Sequence, residues 1–99
     1  MSWKFNTAPC DTGTQSNVTS SASSVEILAA NKDRNGFTLY NDSTAILYLL
    51  LSDGTASTTV YTKQVAANGG YFEAPYNYRG AVNGIWAAAN GAARVTEFK

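Results

Sequence analysis

From Val25 onward, apolar runs in this chain are short, the longest unbroken one covering residues 45–51 before turn-forming side chains interrupt it. The interruptions recur at spacings of roughly 8 to 12 residues, the rhythm of a small all-β domain. A helix with a buried face needs roughly 10 to 12 residues of sustained 3.6-residue periodicity, and no segment here supplies it. Val25-Glu26-Ile27-Leu28 reads as a first strand. Asn35-Gly36 is a strong turn dipeptide, because both residues tolerate positive φ. Phe37-Thr38-Leu39-Tyr40 then alternates as a half-buried strand does. Asn41-Asp42-Ser43 turns into the run at 45–51, and Ser52-Asp53-Gly54-Thr55 turns out of it. Residues 58–65 form a β-branched alternating stretch closed by Asn68-Gly69-Gly70. Tyr71-Phe72-Glu73-Ala74 is halted by Pro75. Residues 82–88 carry Ile85-Trp86, Asn90-Gly91 turns the chain, and residues 93–98 finish it. Ala87-Ala88-Ala89 is bracketed by Gly84 and Gly91 and reads as strand and turn. The expectation is an all-β, small antiparallel β-sandwich or barrel of about seven strands over residues 25–99. Twenty Ser and Thr and nine Asn agree with it, since these residues favour strands and turns over helix interiors.

The run at 45–51 says more. Antiparallel sandwich strands alternate because one face is wet, yet here Ile46, Tyr48 and Leu50 form one apolar row and Leu47, Leu49 and Leu51 the other. A two-layer domain buries one row in its core. Leu47, Leu49 and Leu51 are the candidate interface row, to be covered by the chain's own strap, a crossing loop or another subunit. A central barrel strand roofed by a long loop is the alternative. Covering the second row by a further copy predicts a homo-oligomer.

Residues 1–24 have a different texture. Between Asn6 and Ser24, Val18 is the sole sizeable aliphatic side chain and Asp11 the sole charge, so this stretch cannot offset its own ordering entropy by burial. It is expected to be an extended N-terminal arm. Trp3 and Phe5 stand two apart and share a face of an extended backbone, which makes them either an anchor for a neighbouring protein or rings that return to the chain's own core.

Charge and chemistry narrow the function. Seven basic and seven acidic residues are scattered among 99, so there is no basic cluster for nucleic acid or for an anionic membrane. No apolar run approaches the roughly 20 residues that span a bilayer, and Met1 to Asn6 lacks a signal-peptide core, so a soluble, cytoplasmically made protein is expected. The single cysteine, Cys10, cannot close an internal disulfide. With no histidine, Ser/His and Cys/His nucleophiles and imidazole metal sites are excluded. The carboxylates fall one per strand or turn. Asp33, Asp42 and Asp53 sit beside Asn, Ser or Gly as turn caps do, without the dense alternation of a calcium loop. Asn68-Gly69-Gly70 lacks the Lys and helix of a phosphate loop. Neither enzyme chemistry nor a cofactor is expected.

The aromatic cluster at 71–80 supports two binding readings. Tyr71, Tyr76, Tyr78 and Trp86 would stack on sugars, or Tyr76, Tyr78 and Arg79 would form a protein interface, where Tyr, Trp and Arg are enriched. Packing within the monomer competes with both.

A series of blocks then carries a resemblance: Leu28-Ala29-Ala30-Asn31, Arg34, Gly36, Leu39-Tyr40-Asn41-Asp42-Ser43, Leu47-Tyr48, Tyr61-Thr62, Gly69-Gly70-Tyr71-Phe72-Glu73, Gly80, Gly84-Ile85-Trp86 and Asn90-Gly91-Ala92-Ala93-Arg94-Val95-Thr96-Glu97. In this order they resemble a small structural protein family of tailed bacteriophages. The resemblance implies a virion protein that binds other virion proteins, without implying a position in the particle; the first function class is a capsid decoration or cement protein on the major capsid protein, its N-terminal arm reaching across neighbouring subunits. It also implies a homo-oligomer, with a trimer favoured. The alternative within the same family is a tail or neck module that recognises host glycans. The family supplies no catalytic residues, and the arm at 1–24 departs from its pattern.

Overall fold

In the computed structural model, which describes residues 10–74 and 78–99, the chain forms eight strands and, among the described residues, no helix. They are β1 (Gly13–Thr19), β2 (Val25–Leu28), β3 (Gly36–Asp42), β4 (Leu47–Leu50), β5 (Lys63–Val65), β6 (Gly70–Glu73), β7 (Val82–Trp86) and β8 (Ala92–Phe98). β1 pairs with β8, β2 with β7, β3 with β6 and β4 with β5, all antiparallel, so the chain is one long hairpin folded back on itself. Pairing of β3 with β8 and of β4 with β7 joins the doubled ribbons into two four-stranded sheets. Sheet A runs β1-β8-β3-β6 and sheet B runs β2-β7-β4-β5. This is the connectivity of a jelly-roll sandwich.

The expected all-β sandwich is therefore present, with two local differences. The stretch at 58–65 keeps strand geometry at Lys63–Val65 alone. Ahead of it, the Ser57 hydroxyl accepts from the Thr59 and Val60 N–H groups at 3.2 and 2.9 Å, and that local turn outcompetes the ladder. The second difference concerns the arm. Residues 13–19 are a strand, not part of a free extension, and they pair with β8 along their whole length. A polar segment is ordered here by backbone bonds to the edge of a sheet that the rest of the chain has built, with Val18 packed on the core. Trp3 and Phe5 lie outside the described residues.

Inward side chains of both sheets make one core, led by Ile27, Phe37, Leu39, Leu47, Leu49, Val65, Val82, Trp86 and Val95. Gly84 leaves room on the inner face of sheet B for the side chains of its two flanking strands: a Cβ there would sit 2.7 Å from Ile27 Cδ1 of β2 and 2.9 Å from Leu47 Cδ1 of β4. The β5–β6 connection turns through Asn68 at φ 59° and Gly69 at φ 101°, the left-handed conformations that Asn and Gly tolerate.

Two buried polar side chains pin the sandwich. Asn41 of β3 donates to the carbonyls of Ala45, Val65 and Ala66 at 2.9, 3.2 and 3.0 Å. Its Oδ1 accepts from Ser43 Oγ at 2.8 Å and from Trp86 Nε1 at 3.1 Å, so sheet A is tied to sheet B through one amide. Arg34 is fully buried and donates to Glu97 Oε2 at 2.8 Å and to the carbonyls of Tyr78, Gly80 and Ala29 at 3.1, 2.9 and 2.6 Å. Its guanidinium also lies 5.6 Å from the Phe37 ring centroid. A buried cation persists when its donors are met in this way.

Candidate functional site

The two rows of β4 have opposite fates. Leu47 and Leu49 have no exposed surface, while Ile46 is 37% exposed and Tyr48 and Leu50 are half-buried. The interface assignment of Leu47 and Leu49 is thus corrected: they are core. Leu51, of the same parity, is half-buried and packs against that core from the end of the strand. The reason lies on neighbouring strands. Leu47 sits between Val65 and Trp86 in register, and Leu49 sits opposite Gly84, so the inner space was shaped for this row.

The surface row is therefore Ile46, Tyr48 and Leu50. Tyr48 is flanked in register by Ile85 of β7 and Gln64 of β5. Tyr61 closes on it edge-to-face, with ring centroids 5.1 Å apart and its hydroxyl accepting from Gln64 Nε2 at 2.8 Å. The segment carrying Tyr61 is anchored by the Thr62 N–H on the Leu49 carbonyl at 2.7 Å and by the Leu51 N–H on Thr62 Oγ1 at 3.0 Å. Tyr61 thus roofs part of the row and extends it, with Val60 beside it 54% exposed. Ile46, Tyr48, Leu50, Ile85 and Tyr61 form an apolar stripe on the outside of sheet B, bordered in register beyond Leu50 by Asn83 and then by the exposed Glu26 of β2.

The aromatic cluster at 71–80 is dispersed. Trp86, a glycan-stacking candidate, is 1% exposed and spends its N–H on Asn41, which removes it from any surface. Tyr78 is half-buried against the core, and its hydroxyl donates to the Ala81 carbonyl at 2.7 Å. Burial pushes that phenol up, against the lowering pull of Arg34, with Asp53 adding to the rise; it stays a donor at neutral pH. Arg79, although exposed, uses its fork inside the chain, donating from Nε to the Arg34 carbonyl at 2.6 Å and from Nη2 to Asn35 Oδ1 at 3.1 Å. Tyr78 and Arg79 are clamps on the loop around Arg34. Tyr76 lies outside the described residues. Tyr71 is 57% exposed on the outside of sheet A.

A cleft of about 400 Å³ opens between Ala30, Leu51, Asp53, Tyr78 and Gly80. Asp53 is the one carboxylate on its wall, and no group of three or more Cys, Asp or Glu that would hold a metal occurs among the described residues. That cleft lacks the facing carboxylates of hydrolytic chemistry. Among the described residues no helix is long and apolar enough to cross a membrane.

The stripe residues outside β4 were missed by sequence reasoning. Ile85 alternates with Gly84 and Trp86, which gave a usable hint, whereas Tyr61 sits in a stretch that reads as strand. No protein-family model, curated protein or solved structure matches the chain. The resemblance to phage structural proteins accordingly stands on its residue blocks alone.

Proposed function

We propose that this protein is a non-enzymatic assembly component of a tailed-phage particle, a capsid decoration protein that docks on the capsid shell through the outside of sheet B. The observation that carries the docking surface is the stripe of Ile46, Tyr48, Leu50, Ile85 and Tyr61, whose own side chains carry no charge, on the outside of sheet B with Glu26 at its border. Interface cores are depleted in charge and enriched in aromatic and aliphatic anchors, and this patch has that composition. The resemblance of its ordered sequence blocks to phage structural proteins supports the particle as its setting. The scattered charges and absent histidine support binding over catalysis.

The test is occupancy and footprint. Purified protein mixed with capsids is expected to bind in numbers comparable to the shell subunit, with hydrogen exchange slowing in β4, β7 and residues 57–62. Binding at a handful of sites per particle would move the protein to the tail or neck. Failure to bind particles, or a footprint on sheet A, would overturn the docking surface.

A further inference from the structure

The two sheets expose four strand edges: β1 and β6 in sheet A, β2 and β5 in sheet B. An open edge is a template for another chain, and folded proteins blunt it by shortness, charge, proline or a bulge. Three of these edges are blunted. β2 has four residues, carries Glu26 and shifts register between Glu26 and Leu28. β5 has three residues including Lys63, and β6 has four including Glu73. β1 has none of these devices: its seven residues, Gly-Thr-Gln-Ser-Asn-Val-Thr, contain no charge and no proline, and their register against β8 is unbroken.

The ladder shows which groups of β1 are open. Thr12 and Lys99 exchange both backbone bonds, at 3.1 and 2.9 Å, and the Ser20 N–H donates to the Gly91 carbonyl at 2.9 Å. Bonded pairs alternate along an antiparallel ladder, so Thr14, Ser16 and Val18 spend their backbone groups on β8. Gly13, Gln15, Asn17 and Thr19 point theirs the other way, where no strand of the described residues pairs.

We propose that this edge pairs with β1 of a second copy of the chain, antiparallel about Ser16, fusing the two copies of sheet A into one continuous sheet across a two-fold axis. In that register Gln15 faces Asn17 of the second copy, Gly13 faces Thr19 and Thr14 faces Val18. Every outward-bonding residue then meets another, amide lies beside amide, and no like charges oppose each other. That neutrality on both sides favours a second copy over a charged partner segment. The pairing is closed, so it ends at two copies. It uses a surface separate from the stripe on sheet B and holds whether or not that stripe docks on a capsid.

Sedimentation and residue-resolved amide exchange of the full chain test it together. At low concentration the Ser16 and Val18 amides should be protected while those of Gln15 and Asn17 exchange at least tenfold faster. As concentration rises a dimer should appear and the Gln15 and Asn17 amides should slow in step. Asn17→Pro deletes an outward N–H without touching the bonds to β8, so it should stay folded and monomeric. Gln15→Lys keeps the N–H but adds a charge at the edge; it should also be monomeric, and it decides the matter if the proline variant fails to fold. A wild-type monomer at every concentration, a trimer, or a dimer that survives Gln15→Lys would overturn the proposal.

Discussion

Across the outside of sheet A, one register row runs Asn17, Arg94, Tyr40, Tyr71; across the outside of sheet B, the comparable row runs Ile85, Tyr48, Gln64, with Ile46 and Leu50 to either side of Tyr48. Both rows contain tyrosine, and on sheet A the rings are the more exposed, Tyr40 at 45% and Tyr71 at 57%. Yet sheet A surrounds them with polar and charged groups. Arg94 holds Asp42 with two bonds from its fork, at 3.1 and 2.9 Å, and the Tyr71 hydroxyl donates to Glu73 Oε2 at 3.3 Å. Sheet B sets its half-buried tyrosine beside Ile46, Leu50, Ile85 and the uncharged Gln64, and the one charge on that face, Glu26, stands beyond Asn83 at the edge strand β2. Exposure of a single aromatic ring is thus a poor guide to a docking surface, because charges beside it would have to be desolvated on contact. Contiguity without charge is the better guide.

The strongest way to break this comparison is to swap the two rows of β4. Leu49→Glu removes a core leucine, a loss of about 2 to 5 kcal/mol, and buries an unpaired carboxylate at several more, against a total stability of roughly 5 to 15 kcal/mol. Circular dichroism should show an unfolded chain. A folded Leu49→Glu protein would return the leucine row to the surface.

Next in size is the outer row. Ile46→Lys combined with Leu50→Lys should keep the fold, with a stability change within about 1 kcal/mol, yet weaken capsid binding more than tenfold, about 1.4 kcal/mol or more. Titration on particles measures this directly, and undiminished affinity would remove sheet B from the interface.

Tyr48→Ala sharpens the contrast by loosening the roof over the row. Loss of the edge-to-face pair with Tyr61 should cost about 1 kcal/mol beyond the lost area, read as a lower midpoint in urea. Amide exchange at residues 57–62 should quicken.

The smallest effect belongs to sheet A. Both side chains of the Arg94–Asp42 pair are about half exposed, at 50% and 52%, so Arg94→Ala should shift stability by no more than about 1 kcal/mol and leave capsid binding unchanged. A large binding loss would mean that both faces make contact.

Most strands were legible because the signals that mark them are local. Alternation at Phe37-Thr38-Leu39-Tyr40 and the turn pair Asn68-Gly69 state their conformations within a few residues, whereas the turn expected at Asn35-Gly36 falls at Lys32-Asp33 and Gly36 opens β3. The candidate site was half legible. That β4 has a second apolar face follows from the run itself, but which row faces the core does not, because a period of two carries no sign when both rows are apolar. Tyr78 and Arg79 look like interface residues by type; their roles depend on the carbonyls of Ala81 and Arg34.

What the amino-acid order determined alone is therefore the class of fold, the breaks between most of the strands from β2 onward, the absence of histidine-based chemistry and the surplus apolar row on β4. Tertiary structure decided the rest. Val65, Gly84 and Trp86 chose the parity of β4, and β8 recruited residues 13–19 into a sheet although their own side chains give no strand signal. Arg34 and Asn41 read as loop and turn residues. They are buried because acceptors as far as 63 residues away in the chain for Arg34, and partners as far as 45 residues away for Asn41, converge on them. A polar side chain can leave water where its hydrogen bonds are replaced, and those replacements come from segments that only folding brings together.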